Sequence, residues 1–115
     1  MANESDCIFC KIAAKELDAD IVLEDDEVVV FHDINGRAPV HVLVIPRQHV
    51  ESLGEIGDLP DTTAKRLFGA SQEVAEKLGI AQSGYAVRLN NGRDAGQEVF
   101  HLHLHVLGGE KIGMP

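Results

Sequence analysis

Apolar residues fall into short runs separated by turn-forming residues, and the spacing within each run predicts its secondary structure. Runs of β-branched and other apolar residues predict five short strands. These lie at positions 21–23, 28–31, 40–45, 85–89 and 99–107. An acidic turn joins the first two strands into a hairpin. Because most connections are this short, we predict an antiparallel sheet with helices packed on it, an α+β fold.

Two segments have the apolar spacing of helices. One long helix is predicted over residues 61–78, and Gly79 is a suitable residue to end it. The apolar positions of this helix are Leu67, Phe68, Val74 and Leu78. A short amphipathic helix is predicted over residues 7–17, with Asp6 as its N-cap. Residues 90–97 are rich in Asn and Gly and are predicted to form a loop.

Length and composition indicate a single soluble globular domain. The 115 residues suffice for one core, so residues 1–115 are assigned to one domain. Nineteen Asp and Glu against ten Lys and Arg give a net charge of −9, and this excess repels nucleic acids. No apolar stretch is long enough to span a membrane, and the opening residues lack the form of a signal peptide. We therefore expect a cytoplasmic protein.

Three histidines alternate with leucines near the end of the chain. In a strand, His101, His103 and His105 share one face, while Leu102 and Leu104 point to the core. A single core histidine usually serves only to satisfy hydrogen bonds. Three in register beside a glycine-rich loop favour a functional site.

This histidine row limits the chemistry of the site. No nucleophile elbow of the form G-x-S-x-G accompanies it, which disfavours serine hydrolysis. One zinc ion cannot bind all three rings, because alternate residues over five positions extend about 13 Å along a strand. One imidazole is better suited to attack as a nucleophile while its neighbours orient it and move protons. Imidazole suits attack on phosphorus because much of it is neutral near pH 7.

The segment from His101 to Leu107 resembles the H-φ-H-φ-H-φ-φ signature of the histidine triad (HIT) nucleotide hydrolases and transferases. The following Gly108-Gly109 resembles the Hint branch, the purine nucleoside phosphoramidases. Residues 31–34, 41–46 and 90–97 resemble further blocks of the family, in the same order, so the resemblance covers nearly the whole chain. It implies the HIT fold, with about five antiparallel strands, one long helix and one short helix.

The resemblance implies a division of labour among four histidines. His103 is expected to be the nucleophile that forms a nucleotidyl-histidine intermediate. In the family, this ring is oriented by a hydrogen bond to a main-chain carbonyl on the same strand. His105 is expected to contact the phosphate oxygens and the leaving group, and His101 and His41 to form a supporting pair behind them.

The resemblance also implies residues that bind the nucleotide. Asp33 is expected to bind the ribose hydroxyls, although it also suits a turn cap. An apolar slot for the base is expected from residues that could equally be plain core: Ile8, Phe9, Ile12, Phe31 and Ile34. The residues expected along the phosphate are Asn90, Gly96, Gln97 and Glu98. Many family members have Ser or Thr in place of Glu98. A carboxylate repels phosphate, so we expect only the main-chain N–H of Glu98 to make contact.

Cys7 and Cys10 form a C-x-x-C pair in a chain without an export signal, which disfavours a structural disulfide. Redox chemistry is disfavoured as well, because no strand precedes the motif. The resemblance implies a structural zinc site formed by Cys7, Cys10, His49 and His101. The alternative is two buried reduced thiols and a surface His49. Catalysis itself is expected to need no cofactor.

These features predict a hydrolase that cleaves the P–N bond of purine nucleoside 5′-monophosphoramidates, with AMP or GMP derivatives as its small-molecule partners. Dinucleoside polyphosphate hydrolysis, as in the related Fhit branch, is one alternative. A nucleotide-binding regulatory protein with incidental catalysis is another. The resemblance implies a homodimer. The chain has no tryptophan, whereas some Hint members place one near the C-terminus, so substrate preference beyond the phosphate stays open.

Overall fold

A single antiparallel sheet organises the computed structural model, which describes residues 6–113. The strands are β1 (Ile21–Glu24), β2 (Val28–His32), β3 (Val40–Pro46), β4 (Tyr85–Arg88) and β5 (Leu104–Gly108). Their spatial order is β1-β2-β3-β5-β4, and every neighbouring pair is antiparallel. The predicted five-stranded α+β architecture is confirmed.

The short and the long helix are both present. They are α1 (Ile8–Ala13) and α2 (Asp61–Lys77). Two 3₁₀ helices, Leu53–Asp58 and Arg93–Ala95, interrupt the connecting segments. Gly79 follows the end of α2 with φ +78°, the left-handed conformation that commonly terminates helices. The predicted end of the long helix is therefore confirmed.

Helix α1 is shorter than predicted and has a different N-cap. It ends at Ala13, and Lys15 already has φ +65°, outside the helical region. Cys7 is the N-cap, and its Sγ accepts a main-chain N–H of the first turn at 3.3 Å. The predicted extension to residue 17 and the predicted Asp6 cap were wrong, because the Cys7 sulfur takes the place that a carboxylate usually fills.

Strand β5 begins at Leu104 rather than at Val99, so this predicted boundary was wrong. The pairing with β3 starts only at Leu104. Before Leu104 the chain is hydrogen-bonded to the segment that follows β3, since the N–H of Leu102 donates to the carbonyl of Val50 at 2.8 Å. The first two histidines of the row therefore precede the strand, and only the third lies within it.

The two faces of the sheet carry separate apolar clusters. Helix α2 covers one face, where Val44 and Val106 are fully buried. Helix α1 covers part of the other face, where Phe9 packs in one cluster with Leu43. Leu102 belongs to the α2-side cluster although it lies outside β5. The predicted alternation is thus retained, and the histidine row faces the α1 side.

The apolar stripe of α2 is only partly buried. Leu67 and Val74 are buried, whereas Phe68 is 65% exposed. Phe68 follows Leu67 by one residue, which is about 100° around the helix, so the two cannot both face the sheet. Phe68 is therefore not part of the side that packs on the sheet.

No helix within residues 6–113 has the length and apolar content needed to cross a membrane. The cytoplasmic location and the assignment of residues 1–115 to one domain stay predictions.

Candidate active site

The ring of His103 has one nitrogen anchored and the other open. Its Nδ1 lies 2.7 Å from the main-chain carbonyl oxygen of His101. A carbonyl oxygen only accepts hydrogen bonds, so Nδ1 carries the proton and Nε2 has the free lone pair. Within residues 6–113, Nε2 has no hydrogen-bond partner and is not among the fully buried unpaired atoms, so it retains contact with solvent. This is an imidazole with a fixed tautomer and an available nucleophilic nitrogen.

Two consecutive hydrogen bonds fix the tautomers of His41 and His105. The main-chain N–H of Arg37 donates to Nδ1 of His41 at 3.0 Å. The proton of neutral His41 is therefore on Nε2, which lies 2.9 Å from Nδ1 of His105. His105 accepts this bond and carries its own proton on Nε2. The centroids of the His105 and His103 rings are 4.9 Å apart, so a donor N–H and a free lone pair occupy neighbouring rings.

Burial keeps these histidines neutral. It lowers the pKa of His105 to about 4, and the neighbouring rings of His103 and His41 act in the same direction. Burial also lowers the pKa of His41 and that of His103, while the Asp33 carboxylate opposes both shifts in part. The neutral imidazole is the form that attacks phosphorus. The site therefore holds its histidines in the reactive protonation state at pH 7.

Asp33 caps a turn and also faces the histidine pair. Its Oδ1 accepts the main-chain N–H of Asn35 at 2.9 Å, which is the turn-capping role. Its Oδ2 lies 3.5 Å from Nε2 of His41. One carboxylate oxygen thus caps the turn, and the other faces His41.

Phe9 connects helix α1 to the histidine row. Its ring meets His103 edge-on, with a centroid distance of 5.2 Å and an angle of 90°. Its ring centroid is 5.4 Å from that of Phe31 and 6.0 Å from that of His101, and the residue is only 5% exposed. Edge-to-face packing of this kind is favourable and directional. Phe9 therefore restricts the orientation of the His103 ring.

His101 and His41, the expected supporting residues, do not contact each other within residues 6–113. The register of β3 with β5 pairs His41 with Leu107, at the end of β5 that is remote from His101. His101 is fully buried near the opposite end of β3, where its Nε2–H donates to the carbonyl of Pro46 at 2.8 Å. Antiparallel pairing carries the two residues to opposite ends of one strand, and their expected supporting role stays a prediction. His41 contacts His105 instead, and His101 holds His103 through its main chain.

The apolar residues expected around the base divide into two groups. Phe9, Ile12 and Phe31 belong to one buried cluster on the α1 face. Ile8 is 47% exposed and Ile34 is 94% exposed. The first group is part of the core, and the second lies at the surface.

The loop expected along the phosphate combines buried and open groups. Asn90 is half-buried two residues after the end of β4, and Gly96 has φ +84°. Gln97 is 6% exposed, and its side chain is hydrogen-bonded within the protein. Glu98 is exposed, and within residues 6–113 it forms no hydrogen bond or ion pair. Its main-chain N–H therefore has no partner within these residues, and its contact with a phosphate stays a prediction.

Sequence reasoning missed two features of this region. The main-chain N–H of Arg37 fixes the tautomer of His41, and only the preceding Asn-Gly turn signal hints at such a contact. A shallow depression of about 480 Å³ lies beside the loop. It is lined by Asn91, Gly92, Arg93, Asp94 and Phe100. No spacing pattern in the sequence distinguishes these residues from an ordinary loop.

The structure brings together Cys7, Cys10, His49 and His101, whose ligand atoms all lie within 4.8 Å of one another. The Sγ of Cys7 is 3.3 Å from Nδ1 of His101, and the Sγ of Cys10 is 3.3 Å from Nδ1 of His49. In a tetrahedral zinc site, bonds of about 2.3 Å to sulfur and about 2.0 Å to nitrogen separate the two atoms by about 3.5 Å. The cluster therefore has nearly the dimensions of a metal site.

The surroundings of the cluster also fit a metal. Since the Nε2–H of His101 donates to the carbonyl of Pro46, its Nδ1 is left as a ligand with a fixed tautomer. His49 is half-buried, and its Nε2 is buried without a partner within residues 6–113, so this residue is not the surface histidine of the alternative interpretation. Two thiols and two imidazoles form the donor set of structural zinc sites. The cluster could hold a metal ion.

A family model described as the HIT domain matches residues 14–112. Among characterised proteins, the chain is 39% identical over 113 residues to a protein of Escherichia coli (strain K12) named purine nucleoside phosphoramidase. The match covers 98% of this chain and 93% of that protein. The chain is 44% identical over 102 residues to Protein HitA of Neisseria gonorrhoeae, covering 89% and 94% of the two chains.

Solved structures give the same result. A HIT family hydrolase from Legionella pneumophila Philadelphia 1 superimposes with a TM-score of 0.91 at 35% identity, covering 96% of this chain and 98% of that one. A HIT family hydrolase from Clostridium thermocellum also has a TM-score of 0.91, at 45% identity, with 96% of both chains covered.

Proposed function

Because the chain belongs to the HIT domain family of nucleotide hydrolases, we propose that it cleaves the P–N bond of purine nucleoside 5′-monophosphoramidates. The relative of Escherichia coli named purine nucleoside phosphoramidase supports this choice of bond and base. The observation that carries the proposal is the pair of neighbouring imidazoles. His103 has a free Nε2 lone pair, and His105 has an Nε2–H.

The reaction proceeds by two displacements at phosphorus. The Nε2 lone pair of His103 attacks, the P–N bond breaks, and its electron pair stays on the departing nitrogen. That nitrogen takes one proton from the solvent through the histidine cluster and leaves as a neutral amine. Water then attacks phosphorus, loses a proton, and the P–Nε2 electron pair returns to His103. The products are a nucleoside monophosphate and the amine.

Two hydrogen bonds stabilise charge in these steps. During attack the His103 ring becomes positive, and its Nδ1–H remains bound to the carbonyl of His101, which favours the charged ring. The Nε2–H of His105 donates to the phosphoryl oxygens or to the departing nitrogen. His41 keeps His105 in the tautomer that can donate. No resident cofactor takes part.

The nucleotide is held by residues around this centre. The Asp33 carboxylate accepts hydrogen bonds from the ribose hydroxyls. Phe9, Ile12 and Phe31 form the apolar wall for the base, and the exposed Ile8 and Ile34 close over it. The loop at Asn90, Gly96, Gln97 and Glu98 lies along the phosphate. The main-chain N–H groups of Asn90 and Glu98 donate to it, since those of Gly96 and Gln97 are used within the loop.

We further propose that Cys7, Cys10, His49 and His101 bind a structural zinc ion. Zinc supplies no chemistry to the reaction and acts as a tetrahedral cross-link. The four residues would tie helix α1 to the end of β3 and to the segment that carries His103. Their support is the fit of donor types and separations described above.

We also propose a homodimer that forms on the α2 side of the sheet. Strand β4 is at the edge of the sheet, with one side unpaired. Val87 on β4 is 41% exposed and Phe68 on α2 is 65% exposed. A second copy of the chain would remove both side chains from water.

Turnover of adenosine 5′-phosphoramidate, compared with that of diadenosine tetraphosphate, tests the proposed reaction. We expect kcat/KM to be at least about 100-fold higher for the phosphoramidate. Rapid quench in alkaline denaturant with labelled substrate should trap the nucleotidyl label on His103, because the P–N bond of phosphohistidine is stable in base and labile in acid. Faster cleavage of the dinucleotide would assign the protein to polyphosphate hydrolysis. Binding of AMP without turnover of either compound would favour the regulatory alternative.

A further inference from the structure

The side chain of Gln97 is buried, and each of its polar groups is bonded to main chain. Its Oε1 accepts the N–H of Gly92 at 2.8 Å. Its Nε2 donates to the carbonyl of Glu51 at 2.7 Å and to that of Val99 at 3.0 Å. Both N–H groups of the carboxamide are therefore used, and none remains to bind a phosphate directly. The carboxamide therefore acts within the loop and not on the phosphate.

These bonds close a small ring in the loop. The main-chain N–H of Gln97 also donates to the carbonyl of Gly92 at 3.1 Å, so Gly92 and Gln97 are joined twice. Between them, the 3₁₀ turn ends at Gly96 in the left-handed conformation. Within residues 6–113 the N–H of Gly92 has no partner other than Gln97. Loss of the carboxamide would leave this N–H without a partner and the ring held by one bond.

The ring is in turn anchored to the segment that follows β3. The Gln97 bond to Glu51 is one anchor, and the bond from the N–H of Gly54 to Oδ1 of Asn91 at 3.1 Å is another. Glu51 comes two residues after His49, which belongs to the proposed zinc site. The loop is thus attached to the same part of the protein that holds the histidine row.

We infer that Gln97 is a positioning residue, whose buried carboxamide holds the main-chain N–H of Glu98 in place for the substrate phosphate. This inference rests on the proposed function, since it assumes a phosphate at the site. Glu98 follows Gln97 directly, and its N–H has no partner within residues 6–113. A donor fixed before the reaction needs no reorganisation when charge develops on the phosphoryl oxygens.

Three variants test this role. Gln97→Met keeps the length of the side chain and removes all its polar groups. Gln97→Glu keeps an acceptor for Gly92 and loses both donors. Gln72→Met is the matched control, because Gln72 is exposed on α2 and its amide bonds only to Glu76 within residues 6–113.

The decisive readout is binding of AMP compared with adenosine, measured by NMR titration. A positioning role predicts that Gln97→Met raises the Kd for AMP about tenfold or more and leaves the Kd for adenosine within twofold. It should also accelerate hydrogen exchange at the Gly92 amide and lower kcat/KM about 10- to 100-fold. Gln97→Glu should retain Gly92 protection but still weaken AMP binding. Gln72→Met should match the wild type.

Equal loss of AMP and adenosine binding would overturn the inference, because general destabilisation affects both ligands. Unchanged AMP binding despite faster Gly92 exchange would overturn it too. If Gln97→Met does not fold, the AMP-to-adenosine comparison is made on Gln97→Asn, whose amide is uncharged but too short to reach Gly92, Glu51 and Val99 together. A wild-type protein that binds AMP no better than adenosine and does not turn over the phosphoramidate would overturn the proposed function, and the inference with it.

Discussion

His103 donates its Nδ1–H to the main-chain carbonyl of His101 at 2.7 Å. The ring of His101 lies beside Cys7 and Cys10 in the proposed zinc site. His101 therefore has two roles that use different atoms. Its backbone orients the proposed nucleophile, and its side chain offers Nδ1 to the cluster. Any change that moves His101 should affect both the cluster and the reactive ring.

Replacement of His103 by Ala should abolish the covalent intermediate. The side chain removed is the proposed nucleophile, so we expect kcat/KM to fall by at least about 10³-fold. AMP binding should stay within about threefold, because the ribose and base contacts remain. Labelling with an alkaline quench measures the intermediate, and calorimetry measures AMP binding. His32→Ala is the control, since His32 belongs to neither histidine cluster. Full turnover by the His103 variant would contradict the covalent mechanism.

The tautomer of His105 should depend on His41. In His41→Ala, Nδ1 of His105 loses its donor at 2.9 Å, so its proton is free to occupy either nitrogen. We expect kcat to fall about 10- to 100-fold, with a smaller change in KM. His41→Gln places an amide that can donate to His105, and it should recover part of the loss. Nitrogen chemical shifts of His105 report the tautomer. No difference between the two variants would contradict this relay.

Much of this site could be predicted from the sequence, because it depends on local alternation. The period of two in the row from His101 to His105 places the rings on one face, even though β5 begins only at Leu104. The contact of His41 with His105 could not be predicted in this way, because it depends on the register of β3 against β5. For the same reason, the sequence did not reveal that His41 and His101 lie near opposite ends of β3.

The cap of helix α1 shows a second limit of sequence reasoning. Asp6 is the better N-cap by propensity, but Cys7 takes the position because its sulfur also lies 3.3 Å from His101, a residue 94 positions away. Tertiary contacts therefore decide the helix start. Likewise, no local pattern indicates that the carboxamide of Gln97 is used to tie together Gly92, Glu51 and Val99.

Stability should fall in acid because of His105. Its pKa is about 4 in the folded protein, below the 6.5 of an unperturbed histidine, so between these values the unfolded chain binds more protons. The free energy of unfolding therefore decreases as the pH falls from 6.5 to 4, by at most about 3 kcal/mol from this residue. Above pH 6.5 the contribution is constant. Urea denaturation at pH 7 and pH 4.5 measures the loss, which should be smaller in His105→Gln. An equal loss in both proteins would assign the acid sensitivity to other groups.

Removal of one thiol should release the proposed zinc ion. Protein purified without a polyhistidine tag should contain about one equivalent of zinc, and Cys10→Ser should retain far less. A site saturated about 1,000-fold above its Kd stabilises the fold by about 4 kcal/mol, so the variant should unfold at a lower temperature. Because Phe9 lies between the two cysteines and packs on His103, turnover should fall as well. Less than a tenth of an equivalent in the wild type would rule out the zinc site.

The proposed dimer should depend on Phe68. A phenylalanine that is 65% exposed on α2 gains free energy when a second copy covers it, whereas a carboxylate at the same place would be desolvated against its symmetry mate. Phe68→Asp should therefore shift the sedimentation mass from twice that of the chain to that of one chain. Thr62→Asp, at an exposed position near the start of the same helix, should leave the dimer intact. A wild-type protein that sediments as a monomer at micromolar concentration would contradict the interface, and a Phe68→Asp dimer would place it on another surface.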